Sequence, residues 1–130
     1  MTQLSDYQDR YHCIRFARAD NGVLEITMHT RGGPARWGTS LKSLHAELPN
    51  AFLDVARDPE NKVVILTGTG DEFLTAMDPE EMFHEGSLAG MWPRIYDEGS
   101  GLLNDLLAIP VPVMGAVNGP AHIHAELLVL

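Results

Sequence analysis

The sequence predicts a mixed α/β layer fold. Short β-type runs alternate with longer segments whose apolar residues recur at three- to four-residue steps. Two runs, residues 63–67 and 113–117, are apolar almost throughout, the pattern of strands buried on both faces of a parallel sheet. At 130 residues and 45% hydrophobic content the chain suits one domain with its own core.

Residues 13–17 alternate as a strand, with Cys13 as a small core residue. Asp20-Asn21-Gly22 then predicts a hairpin turn. Residues 23–29 form the return strand, with Leu24, Ile26 and Met28 on one face. Residues 30–39 are a Gly-rich loop containing Trp37. Ser40 is placed to cap a helix whose apolar positions are Leu41, Leu44, Leu48, Phe52 and Val55. Pro49 falls inside it and predicts a kink or a restart near Leu48. Asp58-Pro59 ends the helix, and the strand 63–67 follows. Asp78-Pro79-Glu80-Glu81 has the signature of a short helix start, with Gly86 and Gly90 bounding the next loop. A helix over 95–107 with Leu102, Leu103, Leu106 and Leu107 inward leads to the strand 113–117 and the turn Asn118-Gly119-Pro120.

Composition narrows the function. The net charge of −9 comes with no Lys/Arg cluster, which disfavours nucleic acid and anionic membrane surfaces as partners. Basic residues are scarce for holding coenzyme A. No apolar run is long enough to span a membrane. The N-terminal residues lack a basic-then-apolar signal pattern, and Cys13 is the only cysteine, so a cytoplasmic location is expected. Gly68-Thr69-Gly70 is not a phosphate loop: Phe73 occupies the place of the third Gly, and no Lys-Ser/Thr follows.

Chemistry-bearing residues concentrate after the second apolar strand, where His122, His124 and Glu126 stand at alternate positions. In an extended segment all three share one face, adequate geometry for a divalent metal. A His-x-His-x-Glu metal-binding module is therefore one reading, and a non-catalytic fragment another.

Two motifs carry a resemblance. The run ENKVVILTGTGDEFLTAMD, from Glu60 to Asp78, and the later Pro112-Val113-Met114-Gly115-Ala116-Val117-Asn118-Gly119 resemble the crotonase, or enoyl-CoA hydratase/isomerase, superfamily. The resemblance implies a ClpP/crotonase-like fold of repeated ββα units, of which residues 1–130 form the N-terminal half of a single domain. The second half would then lie beyond Leu130, where the sequence stops within an apolar run. It also implies a small-molecule substrate, a trimer-based homo-oligomer and an oxyanion hole built from backbone N–H groups. The positions matching that hole are Met77, before the Asp, and His124, in the loop after Asn-Gly.

The hydratases of this superfamily have a Gly-Gly-Gly run and then a catalytic Glu. Here the run is Ala121-His122-Ile123-His124-Ala125-Glu126, and Leu127 holds the Glu position. The departures resemble the β-diketone hydrolases of the 6-oxocamphor hydrolase type, through Asn118-Gly119-Pro120, His124, Glu126, Trp37 and His45. That branch cleaves a C–C bond, and its water-activating His–Asp pair would lie past Leu130. The resemblance makes His124, His45 and Glu126 the candidate catalytic residues and Trp37 and Met82 the candidate pocket lining. No cofactor or metal is implied; in the alternative reading, an enoyl-CoA hydratase/isomerase, the substrate is a coenzyme A thioester.

Overall fold

The computed structural model describes residues 1–82 and 88–128. The elements run α1 (Leu4–Tyr7), β1 (Ile14–Arg18), β2 (Val23–Met28), β3 (Arg36–Trp37), α2 (Leu44–Arg57), β4 (Val63–Thr67), β5 (Ala76–Met77), α3 (Leu88–Leu107), β6 (Val113–Ala116) and a 3₁₀ turn, Ala125–Leu128. The main sheet has the order β1-β2-β4-β6. β1 and β2 pair antiparallel with Phe16 opposite Ile26, whereas β2–β4 and β4–β6 pair parallel. β3 and β5 form a separate two-stranded parallel sheet.

The hairpin forms where Asp20-Asn21-Gly22 predicts it. Gly22 has φ +87°, and a Cβ there would lie 2.6 Å from Lys62 Cγ, so both the backbone and the space require glycine. Parallel neighbours need a crossover, which α2 supplies between β2 and β4 and α3 between β4 and β6. The core packs Leu24, Ile26, Met28, Val64 and Leu66 from the sheet against Leu44, Leu48, Phe52 and Val55 of α2 and Leu102 and Leu106 of α3.

Several sequence expectations are corrected. Ser43, not Ser40, is the N-cap of α2, and Leu41 is exposed outside the helix. Ser43 Oγ donates to Ser40 O instead of capping, so the 40–43 stretch is a turn that feeds the helix. Pro49 lies within one continuous α2, where it is buried. Burial on a helix sandwiched between neighbours compensates the lost backbone bond. α3 begins at Leu88, so Gly90 lies inside the helix rather than in a loop. Gly86 lies outside the described residues. Residues 78–82 form a turn, not a helix start; the rest of that expected helix lies outside the described residues. β4 is not buried on both faces: Val64 and Leu66 are buried while Val63, Ile65 and Thr67 are half-buried. β6 is an edge strand of the described sheet, with Met114 and Val117 exposed. The N-terminal segment holds a helix not expected from its polarity. Tyr7 anchors it, fully buried, with its hydroxyl donating to Asp58 Oδ2 at 3.0 Å. Burial pushes the Tyr7 phenol up to about 12.

One buried carboxylate ties α2 to β1. Glu47 accepts hydrogen bonds from His12 N (2.8 Å) and Cys13 N (2.8 Å), and its Oε1 lies 2.8 Å from His12 Nδ1. Two turns of α2 thereby acquire a fixed height against the sheet, and His45 sits two residues away. Without the carboxylate, two backbone N–H groups lose their acceptor at about 1–3 kcal/mol each. Glu47→Ala is expected to lower the unfolding free energy by about 2–5 kcal/mol, read as a lower urea midpoint at unchanged m-value. A loss below about 0.5 kcal/mol would show that solvent substitutes for the carboxylate.

Candidate functional site

Asn118 is where the site begins. Its side-chain amide donates to Gly70 O (2.8 Å) and Glu72 O (2.9 Å), and its carbonyl oxygen accepts from Gly68 N (3.2 Å). The loop after β4 is thus bonded to the turn after β6. Gly119 follows with no room for a side chain: a Cβ there would lie 1.9 Å from Asp71 O. The two segments stay together beyond the turn. Phe73 N donates to Pro120 O, Leu74 and Ala121 form a parallel bridge, and His122 N and Ile123 N both donate to Leu74 O. This lacing delivers Met77 from one segment and His124 from the other.

Met77 pairs with Trp37 across the small sheet, and Asp78 N donates to Trp37 O at 2.8 Å. Successive N–H groups of an extended strand point to opposite edges. Since Asp78 N–H faces β3, Met77 N–H faces away from it. On the other arm, His124 adopts φ +50°, a left-handed conformation that costs a non-glycine residue about 1–3 kcal/mol. Leu127 N donates to His124 O and helps hold that turn. His124 N–H has no acceptor among the described residues.

Trp37, buried at 3% exposure, stands between the two candidate histidines. The His124 ring lies over it at 4.0 Å with a 39° tilt, and the His45 ring meets it edge-on at 5.5 Å and 86°. His124 Nδ1 is 2.5 Å from Glu126 Oε1. Burial alone would raise the Glu126 carboxyl, but the Glu126 backbone N–H and the His124 imidazole outweigh it and hold the group below its usual range.

His45 is treated differently. It sits in the first turn of α2, and its Nε2 is 3.0 Å from Ile95 O of α3. A carbonyl only accepts, so Nε2 carries the proton. Nδ1 is then a lone-pair acceptor, buried and without a hydrogen-bond partner. Glu98 Oε2 lies 3.6 Å from Nε2 and is itself held by Arg94 at 2.8 Å, which also donates to Thr39 O. Burial lowers the His45 pKa, and the Ile95 carbonyl and Glu98 only partly oppose this.

The structure therefore brings together Trp37, His45, His124 and Glu126, with Met77 paired to Trp37. Met82 is half-buried at the end of the turn opened by Asp78 and is not among the ring contacts that define the cluster. His122 is exposed, and the chain turns at His124 into the 3₁₀ segment. The shared face expected for His122, His124 and Glu126 is thereby lost. No group of three candidate metal ligands occurs among the described residues. Glu98 and Arg94 escaped the sequence reading, although their four-residue spacing on a helix signals a pair. The side-chain role of Asn118 also escaped it, because a turn residue announces backbone conformation and not its partners.

A family model described as enoyl-CoA hydratase/isomerase matches residues 18–124. The chain belongs to the enoyl-CoA hydratase/isomerase family. Among solved structures, a β-diketone hydrolase, ABDH, from the cyanobacterium Anabaena sp. PCC 7120 is 39% identical, with a TM-score of 0.84 over 94% of this chain and 47% of that one. An enoyl-CoA hydratase/isomerase from Mycobacterium paratuberculosis is 24% identical, with a TM-score of 0.73 over 87% of this chain and 44% of that one. Pseudomonas aeruginosa DspI, 20% identical with a TM-score of 0.69, shares the fold. This member of the enoyl-CoA hydratase/isomerase family thus spans about half the length of these structures, matching the N-terminal half of the crotonase fold expected from its sequence. No match was found among curated protein sequences. No helix among the described residues is long and apolar enough to cross a membrane.

The buried, neutral His45 has a consequence for stability. Its folded pKa lies below the unfolded value of about 6.5, so the unfolded chain binds the extra proton. Its contribution is complete above that value and is lost as the pH falls below it through the lower folded pKa. His45→Gln is expected to flatten the dependence of unfolding free energy on pH between about 7 and 5, measured by urea titration at each pH. An unchanged slope would show that His45 is not held neutral.

Proposed function

We propose that this chain provides the substrate-binding and enolate-stabilising half of a β-diketone hydrolase, which splits a cyclic or bulky diketone by a retro-Claisen reaction. Water adds its oxygen to one carbonyl carbon. The adjoining C–C bond breaks, its electron pair leaves as an enolate, and the enolate takes a proton to give a ketone beside the new carboxylic acid. Met77 N–H and His124 N–H supply the oxyanion hole, which acts on charge only as it develops. The His124 imidazole donates a hydrogen bond or a proton to the enolate and Glu126 orients it. His45 is a secondary polar contact, and Trp37 and Met82 line the pocket.

The observation that carries this reading is the fate of the two positions after the Asn-Gly turn. His124 stacks on Trp37 with Glu126 at its Nδ1, while Leu127, at the place of the hydratase glutamate, is only 4% exposed in the core. A leucine in that place transfers no proton to or from water. The 39% identity to ABDH, a structure bound to (S)-3-oxocyclohexyl acetic acid, supports the same choice. An enoyl-CoA hydratase/isomerase acting on a thioester is the second reading, favoured by the family model itself. The proposed reaction needs water and no cofactor. A homo-oligomer built on trimers is the proposed assembly of the whole protein and the cytoplasm its proposed location.

Turnover of a bicyclic β-diketone, but not of crotonyl-CoA, is the expected result for the protein carrying this chain. His124→Ala keeps the backbone N–H and removes only the imidazole, so it should lower kcat by about 10²–10³-fold with a smaller change in KM. Glu126→Gln should cost about tenfold. Efficient crotonyl-CoA hydration, no diketone cleavage and indifference to His124→Ala would together overturn the proposal.

A further inference from the structure

Among the described residues only two non-glycine residues have positive φ, Arg31 at +51° and His124 at +50°. A residue held in that region marks a place where the surrounding structure enforces a conformation. His124 belongs to one arm of the proposed oxyanion hole. Arg31 is far from it in sequence, yet its guanidinium reaches Asp78, the residue directly after Met77 in the other arm. Arg31 Nη1 donates to Asp78 Oδ2 at 2.9 Å and Nη2 to Oδ1 at 3.4 Å.

The β2–β3 loop is built around this reach. Thr30 N donates to Gly33 O and Gly33 N to Thr30 O, closing a tight loop with Arg31 at its tip. Gly32 N donates to His29 Nδ1, and Arg36 N to Thr30 Oγ1. Asp78 is equally constrained. Its carboxylate is 2% exposed and also accepts from Glu80 N, and its own N–H is bonded to Trp37 O. Arg31 is half exposed, so the pair adds little Coulomb energy in water. Its effect is directional. Two guanidinium donors fix the plane of a buried carboxylate that would otherwise lack its counter-charge.

We infer that Arg31, acting through Asp78, is a positioning residue that fixes the Met77 N–H arm of the oxyanion hole. The inference rests on the reading of the site under Proposed function. Arg31 does not touch the substrate. It anchors the end of β5, keeps Asp78 N–H on Trp37 O, and so holds Met77 N–H on the opposite edge. The same bonds seat Trp37, on which both histidines lean.

Two readouts on the chain test this. The first needs no ligand: amide hydrogen exchange at Asp78, whose N–H bonds to Trp37. In Arg31→Ala that exchange should quicken about tenfold or more while the amides of β1 and β2 keep their protection. The second is an NMR titration with 1,3-cyclohexanedione, which is largely its enolate at neutral pH, followed at the Met77 and His124 amides. In the wild type both signals should move; in Arg31→Ala the affinity should fall about tenfold and the Met77 response should shrink more than that of His124. Arg31→Lys keeps the charge without the planar fork and should fall between the two. If Arg31→Ala fails to fold, the lysine variant provides the same comparison. Wild-type protection at Asp78 and a wild-type Met77 response in the folded variant overturn the inference alone. A wild-type chain that does not bind the enolate overturns the reading of the site and the inference with it.

Discussion

The side chain of Asn118 bonds two loops that are 46 or more residues apart in the chain, and the site depends on that junction. One primary amide makes three hydrogen bonds to the backbone of the loop after β4. Those backbone groups would otherwise be unpaired in a loop that is partly buried, so the amide serves both as partner and as spacer. Once the loops are joined, the bridge at Leu74 and Ala121 carries the register forward, and both arms reach Trp37, Met77 as its partner across the small sheet and His124 through its ring. Nothing larger than glycine fits at 119 because the backbone of Asp71 already fills that space.

Around Trp37 the same residue type is placed in two unlike environments. His45 is wedged between α2 and α3, with its proton committed to a helix carbonyl and its second nitrogen shut away from water. His124 stands at the rim on a strained backbone with a carboxylate at its Nδ1. Burial favours the uncharged ring at His45.

The open surfaces belong to the same architecture. A parallel strand is covered on both faces only when helices or other chain lie on both sides. Here α2 and α3 pack on the inward residues of the sheet, so Val64 and Leu66 are buried while Met114 and Val117 on and after β6 face outward. The solved relatives are about twice as long as this chain, and β6 is the edge of its described sheet.

The sequence by itself determined the elements whose signals are local. The Asp20-Asn21-Gly22 turn, the alternation of β2, the three- to four-residue rhythm of α2 and the Asn118-Gly119 turn each encode a backbone conformation over a few residues. The family motifs are contiguous runs of the same local kind, Glu60 to Asp78 around β4 and Pro112 to Gly119 around β6, which is why the fold and family were legible. Only the tertiary structure decided where helices begin and what polar side chains bond to. Ser40 and Ser43 are equivalent as caps by composition, and the Glu81 carbonyl, accepting from Thr39 N and Ser40 N, keeps the chain in a turn until Ser43. Asp78 reads as a helix cap, but Arg31, 47 residues away, takes its carboxylate. His45 is a candidate by resemblance alone, and its buried setting against the Ile95 carbonyl exists only once α3 packs over it. Each of these outcomes depends on a partner distant in sequence, and local pattern carries no information about which distant group will come within hydrogen-bonding reach.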